Sequence, residues 1–148
     1  MRNNSFAVFI LTHGRAGNVI TVKTLRNGGY TGKIYIIIDD EDEQEELYRA
    51  KYGDDVIQFC KKDAARFTDV MTPSKKRDAV VFARNECWRI ARNLGLTHFC
   101  VLDDDYRRFE IKHVRGRKLA AKKITRLDEL FDAFCDFLDI SNAITVCM

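Results

Sequence analysis

The sequence predicts an α/β fold, with a mostly parallel central sheet and helices on both faces. Short apolar runs alternate with stretches of helical periodicity, which is the signature of βαβ units. The runs are continuously apolar and rich in Phe, Val and Ile, as strands buried on both faces are. A chain of 148 residues suffices for one domain with a sizeable core and is short for two.

Phe6 to Leu11 reads as the first strand and ends in Thr12-His13-Gly14-Arg15. Val19, Val22 and Leu25 then recur at helical spacing until Gly28-Gly29 stop the helix. A second strand, Ile34 to Ile38, breaks off at Asp39-Asp40. The acidic stretch Glu41 to Glu46 opens a helix, since acids in a first turn suit the macrodipole; it carries Leu47, Tyr48 and Tyr52 and stops at Gly53. Val56 to Phe59 is a third strand. The segment from Lys61 to Lys75 has no clear period, holds the only proline, Pro73, and reads as a functional loop. The strongest helix follows, with Val80, Ala83, Cys87, Ile90, Ala91 and Leu94 on one stripe and Gly95 beyond its end. Phe99 to Leu102 is a short strand that delivers Asp103-Asp104-Asp105. Phe109 and Ile111 alternate with polar neighbours as in a strand, and a basic stretch runs on to Lys123. Thr125-x-x-Asp128 caps a last helix whose inner stripe is Leu127, Leu130, Phe131, Phe134 and Leu138, and Ala143 to Cys147 reads as a further strand.

Composition narrows the class. With 46% apolar and 32% charged residues, the chain is globular rather than disordered or membrane-embedded. No apolar run approaches the roughly 20 residues of a membrane helix, and the first residues lack the apolar region of a secretory signal. A cytoplasmic protein is expected. Five cysteines without C-x-x-C spacing read as reduced core thiols, and three histidines offer no zinc-ligand spacing. A net charge of +3 does not by itself argue for nucleic acid.

In a parallel sheet, ligands bind beyond the carboxyl ends of the strands. Three strands end there in polar residues: Thr12-His13-Gly14-Arg15, Asp39-Asp40 and Asp103-Asp104-Asp105. Three adjacent carboxylates repel one another, so a buried strand that delivers them needs a cation or donors in compensation. Mg²⁺ and Mn²⁺ take one or two carboxylates plus substrate phosphates. In an extended turn, D-x-D spacing turns its outer side chains to one side, so Asp103 and Asp105 could share a phosphate-bound metal. The alternative is a solvated acidic turn.

The run Ala83-Arg84-Asn85, Ala91-Arg92-Asn93-Leu94-Gly95 and Phe99 to Asp105 resembles GT-A glycosyltransferases, as does Phe9-Ile10-Leu11-Thr12-His13-Gly14-Arg15. Within that superfamily it is most similar to the phage (TET-associated) enzymes that glycosylate modified DNA bases. The resemblance implies a Rossmann-like GT-A sandwich and transfer of sugar from a nucleoside-diphosphate sugar, a UDP-sugar being favoured. It further implies Mn²⁺ or Mg²⁺ as cofactor, and a DNA acceptor in a bacterial or phage-infected cell. Thr12 and Arg15 would border the nucleotide, with His13 in the same loop. Asp39 or Asp40 would accept a hydrogen bond from the base, Arg84 would face the nucleotide, Asp103 would meet ribose or metal, and Asp105 the metal. Asp104 lies within this donor-binding set.

Simpler readings stand beside these. Asp39 and Asp40 could cap the next helix, Arg84 could be a surface charge, and nothing in the sequence pairs His13 with a carboxylate. Lys75-Lys76-Arg77 could neutralise the donor diphosphate or form a solvated charge run. The basic stretch from Lys112 to Lys123 reads as a flexible solvated loop, with the backbone of a nucleic acid as its alternative partner. Residues 1–148 are expected to be one nucleotide-sugar-binding domain, truncated before the half that supplies acceptor contacts and catalytic base. A nucleotidyltransferase, reading Thr12-His13-Gly14-Arg15-Ala16-Gly17 as its phosphate loop, is the enzymatic rival. A non-catalytic nucleotide- or nucleic-acid-binding module is the other.

Overall fold

The computed structural model describes residues 5–69 and 80–147. Strands β1 (Phe6–Leu11), β2 (Lys33–Asp39), β3 (Val56–Phe59) and β4 (His98–Asp103) form one sheet in the order β3-β2-β1-β4, with every neighbouring pair parallel. Helices α1 (Ile20–Asn27), α2 (Glu45–Tyr52), α3 (Lys61–Arg66), α4 (Val81–Asn93) and α5 (Leu127–Ile140) flank it. The expected α/β, Rossmann-like architecture is present.

The central strand shows why its sequence is unbroken in apolar residues. Phe6, Val8 and Ile10 enter one core with Leu25 of α1, Tyr48 of α2, and Leu127 and Phe131 of α5. Ala7, Phe9 and Leu11 enter the opposite core with Ala64 of α3 and Phe82, Cys87, Ile90 and Ala91 of α4. Successive side chains of a strand point to opposite faces, so a strand covered on both must be apolar throughout. Each large side chain so buried contributes roughly 1.5–3 kcal/mol. Phe9 stacks on Phe99 of β4 at 5.3 Å between ring centroids, which fixes the edge strand against the centre. Burial pushes the thiols of Cys87 and Cys100 up to about 12, in keeping with inert core cysteines, whereas Cys60 and Cys147 are exposed and do not fill the core as expected.

Several elements differ from expectation. Helix α2 begins at Glu45 rather than Glu41, because Asp42 turns inward and is buried, and Leu47 points to solvent. Lys61–Arg66 forms the short helix α3 where a loop was expected; six residues are too few to show a period. On α4 the buried face carries Phe82 and Glu86, while Val80 and Leu94 are exposed. Asp128 does not complete a capping box with Thr125; it instead accepts hydrogen bonds from the backbone N–H (2.9 Å) and hydroxyl (2.6 Å) of Thr31. Ala143 to Cys147 pairs with no strand among the described residues and is exposed. The basic stretch is an antiparallel hairpin, β5 (Glu110–Arg115) and β6 (Lys118–Lys123), rather than a loop. Its two-residue turn, Gly116-Arg117, places glycine at φ +64°, the conformation a hairpin turn opening on glycine requires. No described helix is long and apolar enough to cross a membrane.

Candidate functional site at the carboxyl edge of the sheet

Register decides where the polar strand ends meet. Leu11 lies beside Ile37 on one side and Asp103 on the other, so the chain leaves β1, β2 and β4 at the same edge. Thr12, Asp39 and the acidic turn are thereby gathered from sequence positions far apart.

The acidic turn is divided in its roles. Asp104 is buried, and its carboxylate accepts the Thr12 hydroxyl at 2.7 Å and the Arg15 guanidinium at 3.0 Å. Since the Thr12 hydroxyl proton goes to Asp104, the Tyr48 hydroxyl donates to Thr12 Oγ1 at 3.0 Å and accepts the Arg15 backbone N–H at 2.8 Å. The circuit joins β1, α2 and the acidic turn. Burial pushes the Tyr48 phenol up, with the hydrogen bonds to Thr12 and Arg15 pulling the other way. The backbone of the turn is fastened separately: the Thr21 hydroxyl donates to the Asp103 carbonyl at 2.7 Å and accepts the Tyr106 N–H at 2.9 Å.

Asp103 and Asp105 are left facing outward. Asp103 is half-exposed and accepts Arg84 Nη2 at 2.9 Å. Asp105 is exposed, with no hydrogen bond or ion pair among the described residues. Tyr106 packs beside them, stacked on Phe109 at 5.8 Å; burial and then the neighbouring Asp103 carboxylate push its phenol up. Among the described residues no group of three or more His, Cys, Asp or Glu side chains could enclose a metal alone. Two outward carboxylates on a fixed turn nevertheless suit Mg²⁺ or Mn²⁺, which complete their shells with phosphate and water oxygens.

The second strand end is already engaged. Asp39 is buried, caps its own turn by accepting the Glu41 N–H at 3.1 Å, and meets His13 Nδ1 at 2.9 Å and Lys61 Nζ at 3.4 Å. His13 thus has the carboxylate partner that the sequence did not show. Asp40 is exposed and accepts the Lys61 N–H at 2.8 Å, capping α3 rather than α2. Lys75, Lys76 and Arg77 lie outside the described residues.

Four contributors were missed from sequence. Asp42 accepts the Gly14 N–H at 2.8 Å, Gln44 the Ala16 N–H at 2.9 Å, and Tyr48 the Arg15 N–H, so three successive amides of the loop after β1 are held by side chains of residues 42–48. Thr21 is the fourth. The amide-holding side chains fall at irregular spacing within a stretch that reads as an acidic helix start, and only the adjacency of β1 and β2 exposes their role.

Fold and edge together define a parallel α/β chain whose polar strand ends gather where β1, β2 and β4 end. The particular family follows from comparison: the family model of TET-Associated Glycosyltransferase matches residues 6–148, so the chain belongs to that family and is a glycosyltransferase. No curated protein and no solved structure matches it.

Proposed function

We propose that the carboxyl edge is the donor site of a metal-dependent glycosyltransferase acting on a nucleoside-diphosphate sugar, with a UDP-sugar as donor. The observation that carries this reading is the division of the acidic turn. Asp104 is spent on anchoring, whereas Asp105 is exposed and unpartnered on a turn held from both sides. An unpartnered carboxylate beside Asp103 is a ready oxygen ligand. Asp103 and Asp105 would hold Mn²⁺ or Mg²⁺, which when bound supplies charge stabilisation for the leaving diphosphate. Arg84, already against Asp103, and Arg15, half-exposed beside Asp104, support this reading as guanidinium groups on the same edge that could take the donor phosphates. An acceptor hydroxyl then attacks the anomeric carbon and the nucleoside diphosphate departs.

On this reading residues 1–148 form the donor-binding domain of a GT-A sandwich. The acceptor is a modified base in DNA, and the setting is the cytoplasm of a bacterial or phage-infected cell. The nucleotidyltransferase alternative needs free backbone amides after β1 to cradle a triphosphate. Those of Gly14, Arg15 and Ala16 are already donated to side chains, which favours the sugar-nucleotide reading. The experiment is a thermal-shift panel of nucleoside diphosphates and their sugars with and without Mn²⁺. A rise in melting temperature that needs both UDP compound and metal is expected; stabilisation by nucleoside triphosphate alone would support the alternative.

A further inference from the structure

The hairpin β5–β6 stands apart from the two cores. Of its strand residues only Ala120 is even partly covered, and Val114 and Leu119 are 75% and 68% exposed. An isolated two-stranded ribbon is marginal in water. This one is tied down at its base, where the Ile124 N–H donates to the Phe109 carbonyl at 2.9 Å and Phe109 is buried. That base lies four residues beyond Asp105.

Charge is segregated onto the ribbon. Between Arg107 and Lys123 eight Lys and Arg stand against the single acid Glu110, a net of +7, so the rest of a chain totalling +3 carries −4. Arg108 pairs with Glu110 at 3.4 Å, but Lys112, Arg115, Arg117, Lys118, Lys122 and Lys123 have no acidic partner among the described residues. Cross-strand partners share a face. One face therefore carries Arg115 opposite Lys118 and Ile111 opposite Lys122, and the other carries Val114 opposite Leu119 together with Lys112 and the pair Glu110–Lys123. Six residues per strand give a rod about 20 Å long, two strands about 5 Å apart. The major groove of B-form DNA, about 12 Å wide, admits a two-stranded ribbon of this kind.

We infer that the β5–β6 ribbon is a duplex-DNA-binding element that lies in the major groove, with the face of Arg115, Lys118 and Lys122 turned to the DNA and its phosphates. This deepens the proposed function, resting on it for the purpose of the contact, which is to hold the acceptor next to the acidic turn. The binding itself stands on the ribbon's charge and shape. Neutralising each phosphate contributes about 0.9 to the slope of log affinity against log salt. The test is fluorescence anisotropy of a 20-base-pair DNA duplex with the full chain, over a salt series, for wild type and the triple variant Arg115→Ala, Lys118→Ala, Lys122→Ala. Wild type is expected to bind with steep salt dependence, and the variant at least tenfold more weakly with a slope shallower by about three. An A-form RNA duplex of equal length, whose major groove is too narrow for the ribbon, should bind much less tightly. The inference is overturned if wild type does not bind the DNA duplex, if the variant binds it equally well, or if the RNA duplex binds as tightly. UDP-dependent thermal shifts on the same preparations keep the two readings apart. Ribbon-dependent DNA binding without any nucleotide response would uphold the ribbon and sink the donor site.

Discussion

Replacing Thr12 with valine keeps the side-chain shape and removes only a hydroxyl, which isolates the circuit that holds the acidic turn. In the wild type that hydroxyl donates to the buried Asp104 carboxylate at 2.7 Å and accepts from Tyr48 at 3.0 Å. A hydrogen bond to a charged group contributes about 1.5–3 kcal/mol, and a stranded buried hydroxyl costs roughly 1–3 kcal/mol. Asp104 keeps its pair with Arg15, so the expected loss is about 3 kcal/mol rather than the sum of the upper limits. For a chain of this size that corresponds to a drop in Tm of about 6–12 °C. Tyr48→Phe removes the hydroxyl that Thr12→Val strands, so the double variant should lose less than the two singles added, by about 1 kcal/mol. Urea unfolding of the four proteins measures this directly. A Thr12→Val cost below about 0.5 kcal/mol, additive with Tyr48→Phe, would refute the circuit as the anchor of the turn.

Gly29 sits at φ +82°, and a Cβ there would lie 2.5 Å from the Thr125 carbonyl oxygen, so Gly29→Ala should cost more than about 2 kcal/mol and lower the Tm clearly; an unchanged Tm would contradict that close approach. Arg84→Ala removes a half-exposed pair with Asp103 and should cost less than about 1 kcal/mol in stability while weakening nucleotide binding in calorimetry; a loss of several kcal/mol in chemical denaturation would speak for a structural role instead. Alkaline stability has a defined sign. Cys87 and Cys100 have folded thiol pKa values raised from about 9 to about 12, so between those values the unfolded chain releases protons that the folded one keeps. Stability is full below pH 9 and falls above it, by up to about 1.4 kcal/mol per pH unit for each thiol; urea midpoints flat from pH 8 to 10.5 would contradict this.

The sheet was legible because its strands are covered on both faces and so read as unbroken apolar runs. The meeting of Thr12, Asp39 and Asp103 followed from parallel topology alone. What stayed hidden depended on strand order and on side chains crossing between elements. His13 finds Asp39 26 residues away only because β1 and β2 are neighbours. Likewise Asp42 and Gln44 look like the acidic opening of a helix, yet they hold the amides of the loop after β1. The hairpin was obscured because lysine and arginine occupy both faces and erase the alternation that marks a half-buried strand. The available signal was Gly116-Arg117 between two six-residue stretches, a two-residue turn of hairpin type.

Isothermal titration of UDP, with and without Mn²⁺, into wild type and Asp105→Ala tests the central proposal most directly. Asp105 is exposed and makes no hydrogen bond or ion pair among the described residues, so the variant should unfold with an essentially unchanged midpoint. The account predicts Mn²⁺-dependent binding to wild type that Asp105→Ala abolishes. Equal binding by the variant, or binding indifferent to Mn²⁺, would contradict a metal-diphosphate site at the acidic turn.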